Sequence, residues 1–215
     1  MMLTDDGLRL SKSELNCLLA FASTDSASAY YGVQFKALAH DDTRDEMVKA
    51  RATDGNVAVD AFGHSALGRS MEWFVSRAFL AGLAKLADST HHVTLKFSGA
   101  SLHNASVEDV SGKEVATFSW PGSGAASGQM SFADAEEWDR RLRLPTRSRG
   151  VKCLTMKTGS LKLLARIGAA AGVEGVDCYP PPQDNERLLV RAEGEDTVWV
   201  AVIDPAPATP VDDDE

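Results

Sequence analysis

Residues 11–22 read SKSELNCLLAFA and have the pattern of a short amphipathic helix. Ser11 and Glu14 form a capping box at its start, because each side chain can accept a hydrogen bond from the other residue's backbone N–H. The apolar residues that follow recur at helical spacing and predict one buried face: Leu15, Leu18, Leu19 and Ala22. Strand-like segments come next at residues 30–37 and 48–61, and the turn residues Asp54-Gly55-Asn56 interrupt the second segment.

The same order of elements recurs twice more along the chain. A strand at residues 73–75 leads to a second helix after the predicted N-cap Ser76, with apolar positions Phe79, Leu80, Leu83, Leu86 and Ala87. Strands at residues 92–97, 102–110 and 114–120 follow. The third unit has a strand at 151–156, a helix at 160–170 and strands at 176–179, 188–192 and 197–203, with Leu161, Leu164 and Ile167 inward. Three units of one helix followed by antiparallel strands predict an α+β fold rather than parallel βαβ crossovers.

We predict four segments from this repetition. Residues 1–121 form a domain of two helix-plus-strand modules, and residues 151–205 form a half domain that holds the third module. Residues 122–150 are a linker and closing segment, which begins with the loop composition GSGAASG. Residues 206–215 combine prolines with a terminal run of acids and are expected to be a disordered acidic tail.

The composition is that of an ordinary globular protein, with 44% apolar and 25% charged residues in a chain of 215. No apolar run approaches the roughly 20 residues that a membrane-spanning helix needs. The first residues, MMLTDD, lack the basic and apolar regions of a secretory signal. Cys17, Cys153 and Cys178 have no Cys-x-x-Cys spacing, so we expect reduced thiols and a cytoplasmic location.

The charges are distributed unevenly along the sequence. The net charge is −9, which alone argues weakly against binding to nucleic acid. Residues 140–167 nevertheless contain nine basic residues and no acid, whereas residues 193–215 contain eight acids and no base. The uneven distribution predicts a concentrated basic region beside an acidic end, although a solvated basic face is an equally good interpretation of the pattern alone.

No catalytic or cofactor motif is found. Gly112-Lys113 is followed by Glu114 rather than Ser or Thr, so a phosphate-binding Walker loop is absent. The histidines, at His40, His64, His91, His92 and His103, form no metal-binding spacing with cysteine or glutamate. We therefore expect a protein that is not an enzyme and has no cofactor and no bound metal.

Three stretches together resemble the bacterial sliding clamp, the β subunit of DNA polymerase III. They are residues 29–35 (AYYGVQF) with 52–58 (ATDGNVA), residues 130–145 from MSFAD to RLRLP, and residues 198–205 (VWVAVIDP). Their order and spacing agree with that family over about residues 8–206. The resemblance implies the sliding-clamp fold, in which helix-plus-strand modules surround a channel that the helices line.

The resemblance also implies double-stranded DNA as a partner, held through its phosphates without regard to sequence. The helices that face the channel should carry the cations. The candidate DNA-binding residues are Lys12, Arg77, Lys85, Arg147, Arg149, Lys152, Lys157, Lys162 and Arg166.

A second implied site is a groove for a short peptide with apolar anchors, contributed by a DNA polymerase or repair protein. Carried over position by position, this peptide groove would use Tyr30, Thr53, Gly55, Asn56, Val57, Pro145, Val151, Ile203, Asp204 and Pro205. Because the chain has no ATPase motif, a separate clamp loader or spontaneous opening would place it on DNA.

Complete rings of the family contain six domains of two modules each. Three modules per chain then imply a homo-oligomer of four chains, or of three chains if residues 121–150 contain a fourth module. Two alternatives stay open at this point. One is a scaffold with the clamp fold that does not encircle DNA, and the other is an unrelated α+β enzyme that uses Asp54 or the histidines.

Overall fold

The computed structural model describes residues 1–38, 47–67, 70–98, 101–119, 139–140, 142, 156–179 and 187–203. The first module comprises β1 (Met2–Thr4), β2 (Gly7–Ser11), α1 (Lys12–Phe21), β3 (Gly32–Leu38), β4 (Met47–Thr53) and β5 (Ala58–Ser65). The second comprises β6 (Met71–Ser76), α2 (Arg77–Leu86), β7 (His92–Ser98), β8 (Ser101–Glu108) and β9 (Glu114–Ser119). The third comprises α3 (Thr158–Ala171), β10 (Asp177–Tyr179), β11 (Leu188–Glu193) and β12 (Val198–Ile203).

The first two modules are joined by a reciprocal exchange of strands. Strand β2, which precedes α1, pairs with β7, which follows α2, and β6, which precedes α2, pairs with β3, which follows α1. Both pairings are antiparallel, as are the meanders β3–β4–β5 and β7–β8–β9. The two modules therefore form one unit in which each completes the sheet of the other.

The third module continues the sheet of the first. Strands β10, β11 and β12 form an antiparallel meander, and β12 pairs antiparallel with β5, so that Ala201 lies opposite Val59. Strand β4 occupies the other edge of β5. The short β1 pairs parallel to the end of β5, with Met2 opposite His64. Strand β5 is therefore paired on both edges.

Helices α1, α2 and α3 pack on one face of this sheet. Their buried side chains include Leu15, Leu18 and Phe21 of α1, Leu80 and Leu83 of α2, and Ile167 of α3. These side chains join one cluster with alternate strand residues, among them Val59 and Ala61 of β5 and Trp199 and Ala201 of β12. Helix α1 contacts both α2 and α3. We call the opposite sheet face, which lies away from the helices, the outer face.

The α+β fold and the three-helix repetition predicted from the sequence are confirmed. The capping box is present, since Ser11 Oγ accepts from the Glu14 N–H at 3.3 Å and Glu14 Oε2 accepts from the Ser11 N–H at 2.7 Å. The hairpin of β1 and β2 was not predicted, because each strand is too short to show a clear alternation.

The inward assignment of Leu161 is wrong. Its side chain is 51% exposed, whereas Ile167 is fully buried. At 3.6 residues per turn, Leu161 lies a third of a turn away from Ile167, and Ser160 lies on the buried face instead. The predictions for residues 151–155, for Trp120, for most of the linker and for the acidic tail fall outside the described residues.

Candidate functional site

The three helices surround an open cleft of about 570 Å³, which we call the helix cleft. Its lining is mostly small or basic, and α1, α2 and α3 all contribute: Ser13, Asn16, Leu19 and Ala20 from α1, Arg77, Ala81, Ala84 and Lys85 from α2, and Arg166 and Ala169 from α3. Among the described residues, no acidic side chain lines the cleft. The resulting surface has positive charge around a concave centre, which favours an anionic ligand.

Helix α3 adds cations that point into solvent. Lys162 and Arg166 are exposed and lie one turn apart on the same helix face. Lys157 is exposed just before the helix, and Lys85 is exposed on α2. Neither α2 nor α3 contains an acidic residue. These four side chains are therefore available to contact phosphates.

Two other predicted DNA-binding residues hold helix ends together. The Lys12 ammonium donates to the carbonyl oxygen of Ala87, directly after α2. The Arg77 guanidinium donates to the carbonyl oxygens of Leu19 and Ala22, at the end of α1. Cations are favourable at helix C-termini, where carbonyl groups lack partners within the helix. Lys12 and Arg77 thus contribute charge to the helix surface while fixing α1 to α2.

The predicted peptide groove is centred on the turn between β4 and β5. Asp54 Oδ1 accepts hydrogen bonds from the N–H groups of Asn56 and Val57, at 2.7 and 2.9 Å. Thr53 Oγ1 donates to the Val57 carbonyl oxygen at 2.7 Å and accepts from the Gly55 N–H at 3.0 Å. Gly55 has a φ of +95°, which few other residues adopt. The turn is therefore rigidly shaped by its own side chains.

The structure places Tyr30 and Ile203 beside this turn, but their side chains differ in exposure. A Cβ atom at Gly55 would lie 3.4 Å from the Tyr30 ring, which is half-buried. The pairing of Val202 with Ala58 brings the end of β12 to the turn. The Ile203 side chain itself is fully buried in the main core.

The remaining predicted residues lie outside the part of the chain that the structure describes. They are Arg147, Arg149 and Lys152 of the DNA-binding set and Pro145, Val151, Asp204 and Pro205 of the peptide groove.

An apolar cluster on the outer face was missed by the sequence analysis. We call it the outer cluster; it contains the buried Ala58, Leu142, Leu189, Val200 and Val202, with Tyr30, Phe62, Tyr179 and Val198 packed against them. The signal was present in β12, where both alternating sets of residues are apolar, a pattern that predicts a strand buried on both faces. The outer cluster extends the apolar surface beside Tyr30.

A buried ion-pair network adjoins the outer cluster. Arg51 donates to both carboxylate oxygens of Asp60 at 2.6 Å, and both side chains are almost fully buried. Lys49 Nζ lies 2.9 Å from Asp60 and 3.1 Å from Asp139, and Arg51 also donates to Asp139. Burial lowers the pKa of Arg51, but the hydrogen bonds and charge of Asp60 outweigh it and leave that pKa raised.

The described residues contain no group of three or more His, Cys, Asp or Glu side chains arranged to hold a metal ion. In the same part of the chain, no helix has the length and apolar character needed to span a membrane.

Comparison with solved structures identifies the fold. The β subunit of DNA polymerase III from Pseudomonas aeruginosa aligns with a TM-score of 0.52 at 14% identity, over 94% of this chain and 68% of its own. The corresponding subunit from Thermotoga maritima aligns with a TM-score of 0.52 at 10% identity, over 94% of this chain and 65% of its own. The proliferating cellular nuclear antigen of Entamoeba histolytica aligns with a TM-score of 0.52 at 12% identity, over 90% of this chain and 94% of its own.

The chain therefore has the sliding-clamp fold that the sequence resemblance implied. It spans about two thirds of the length of these bacterial β subunits and nearly all of the nuclear antigen. Neither a protein-family model nor a curated protein matches the sequence.

Proposed function

We propose that this protein is a sliding-clamp-like processivity factor, which encircles duplex DNA as a homo-oligomeric ring and tethers a DNA-processing partner. The single observation that carries the proposal is the exposed cationic surface of α2 and α3, two helices without acidic residues, on a chain with the sliding-clamp fold. The role is a binding one, and it requires no catalytic residue.

Contact with DNA would be made to the phosphates. Lys85, Lys162 and Arg166 surround or adjoin the helix cleft, and Lys157 extends the same positive surface. Lysine and arginine side chains attract the backbone of any duplex and leave the base edges unread. Such a surface allows the ring to move along DNA while the closed path around the duplex prevents dissociation. Arg147, Arg149 and Lys152 belong to the same proposed surface.

Ring closure would use the ends of the sheet. Within each chain, the antiparallel pairing of β12 with β5 already joins two modules edge to edge. Among the described strands, β9 and β10 lie at opposite ends of the sheet. We propose that the end of one chain meets the opposite end of the next, since repeated head-to-tail contacts close into rings. Four chains complete twelve modules, and three chains do so if each carries a fourth module.

The partner would bind at the peptide groove. Tyr30 and the turn at residues 53–57 form its described part, and the outer cluster supplies apolar surface next to Tyr30. An apolar peptide anchor packs on such a surface, while backbone groups of the turn fix its position. We propose a polymerase or repair protein as the partner and a separate loader, or spontaneous opening, as the means of loading.

A threading experiment tests the function without a loader. The protein is allowed to enter a linear duplex from its ends, the duplex is circularised with DNA ligase, and the salt concentration is raised before gel filtration. We expect retention on the circle and release after a restriction enzyme cuts it. Equal loss of protein from the circular and the cut duplex, or retention that survives cutting, would contradict encirclement and favour a clamp-fold scaffold.

A further inference from the structure

A short piece of chain lies across the outer face, next to the proposed peptide groove. Its described residues are Asp139, Arg140 and Leu142. All three belong to the segment between the second and third modules. The Asp139 carboxylate contacts both Lys49 and Arg51, and Leu142 is 7% exposed within the outer cluster. One ionic contact and one apolar contact therefore attach this piece to β4, β5, β11 and β12.

The strand register shows how these contacts are arranged. Arg51 lies opposite Asp60, and Asp60 lies opposite Val200, so one row across the sheet changes from charged to apolar. The adjacent row is formed by Thr53, Ala58 and Val202, paired in the same way. Leu142 belongs to the cluster of Val200, Ala58 and Val202, whereas Asp139 binds the charged end of the first row.

The acid at position 139 lies beside an excess of positive charge in the ion pairs of the sheet. Lys49 and Arg51 carry two positive charges, and Asp60 supplies one negative charge in the almost fully buried pair. Asp139 supplies the second negative charge, and its side chain is 59% exposed. Asp139 therefore adds a charge-assisted contact to both cations at the solvent-facing side of the pair. The charge at position 139 is thus complementary to that of the sheet beneath it.

The same contacts bear on the peptide groove. Tyr30 packs against the outer cluster, to which Leu142 belongs, and Thr53 begins the turn that faces Tyr30. We propose that Asp139 and Leu142 act as an anchor that holds this piece of chain against the outer face and thereby sets the wall of the peptide groove beside Tyr30. The anchor itself is inferred from the described contacts. Its effect on partner binding rests on the proposed function. Asp139 is in this sense a positioning residue.

Hydrogen–deuterium exchange on the full chain tests the anchor directly. The Asp139→Asn variant keeps the shape of the side chain and removes its charge, Asp139→Glu keeps the charge, and Leu142→Ala removes the apolar contact. Asp196→Asn is the matched control, because Asp196 is exposed in the turn between β11 and β12. We expect several-fold faster exchange in the peptic fragment that contains residues 139–142 for D139N and L142A, and near wild-type exchange for D139E and D196N. Unchanged exchange in D139N and L142A would overturn the anchor.

A binding measurement tests the consequence for the groove. The probe is a fluorescein-labelled heptapeptide, selected from a random displayed library for binding to the wild type and for loss of binding to Tyr30→Ala. We expect D139N to weaken this probe about tenfold and D196N to leave its affinity unchanged. Faster exchange in D139N with unchanged probe affinity would overturn the anchor's role in the groove alone. If no peptide depends on Tyr30, the proposed groove and this role both fail, while the exchange result still decides whether the anchor exists.

Discussion

Arg77, the first residue of α2, donates a hydrogen bond of 3.0 Å to the carbonyl oxygen of Ala22, the C-cap of α1. The same guanidinium also donates to the carbonyl oxygen of Leu19. One side chain thus satisfies two carbonyl groups at the end of one helix from the beginning of another. Arg77 lines the helix cleft together with Arg166, but its guanidinium is bound to α1, whereas Lys162 and Arg166 of α3 are exposed.

Arg77→Ala should therefore act mainly on stability. Hydrogen bonds from a charged donor contribute about 1.5–3 kcal/mol to folding, and the Leu19 and Ala22 carbonyl groups would lose their donor. We expect a lower urea midpoint with an unchanged slope, measured by circular dichroism. A midpoint equal to that of the wild type would contradict the structural role of Arg77.

The double variant Lys162→Glu/Arg166→Glu should act on DNA binding. Both side chains are exposed on α3, so the urea midpoint should change little, whereas affinity for a short duplex should fall at low salt. The slope of log K against log salt should decrease by about 0.9 for each lost phosphate contact. Fluorescence anisotropy at several salt concentrations measures both quantities.

The matched control for this variant is Lys36→Glu/Lys113→Glu. Lys36 and Lys113 are exposed on β3 and in the turn between β8 and β9, away from the helices, and the change in net charge is the same. Equal losses of affinity in the two double variants would show that net charge alone is responsible, and would remove α3 from the proposed DNA surface.

Alanine substitutions at two glycines should have opposite effects on the free energy of unfolding. A Cβ atom at Gly194 would lie 1.9 Å from the carbonyl oxygen of Ala171, so Gly194→Ala must displace α3 from the turn after β11. We expect a loss of about 1–3 kcal/mol from this overpacking. Gly82 lies in α2 with nothing within 4 Å of its Cβ position, and Gly82→Ala should stabilise by about 0.4–1 kcal/mol. Urea denaturation distinguishes the two, and equal effects would contradict the packing of the third module.

The contribution of Asp139 should depend on pH. Burial tends to raise its pKa, but hydrogen bonds and charges from Arg51 and Lys49 outweigh this effect and leave the pKa below its ordinary value. A depressed folded pKa gives stability that is present above the unfolded value of about 3.9 and is lost as pH falls through the folded value. The difference in thermal midpoint between wild type and D139N should thus narrow below about pH 4. A constant difference from pH 3 to 7 would exclude an ionic contribution.

The two described cysteines should differ in reactivity. Burial raises the pKa of the Cys17 thiol to about 12, and its side chain is fully buried, whereas Cys178 is exposed on β10. Because the thiolate is the reactive form, iodoacetamide at pH 8 should modify Cys178 and spare Cys17 until urea unfolds the protein. Peptide mass mapping identifies each site, and rapid native modification of Cys17 would contradict the packing of α1.

Local patterns predicted much of the fold. The capping box at Ser11 and Glu14 and the Asp54-Gly55-Asn56 turn depend on residues close in sequence, and the structure contains both. Contacts between distant residues were not predictable in this way. The contact of Arg51 with Asp139 joins residues 88 positions apart. The bond from Arg77 to Ala22 requires the reciprocal exchange of strands between modules.

The same distinction between local patterns and distant contacts applies to the candidate site. Exposed cations at Lys162 and Arg166 could be read from helical spacing and from the absence of nearby acids. The apolar pattern of β12 indicates burial on both faces, but the members of the outer cluster could not be predicted, because Leu142, Leu189 and Phe62 come together only when β12 pairs with β5. Ile203 was assigned to the groove from the resemblance alone, and alternation along β12 directs its side chain into the core.

The central claim is that several copies of this chain form one closed ring, and light scattering across a dilution series tests it most directly. The account predicts a constant mass of three or four times the chain mass of 23.0 kDa down to low micromolar concentration. A mass of one chain at every concentration would contradict it, because the proposed ring needs the modules of several chains.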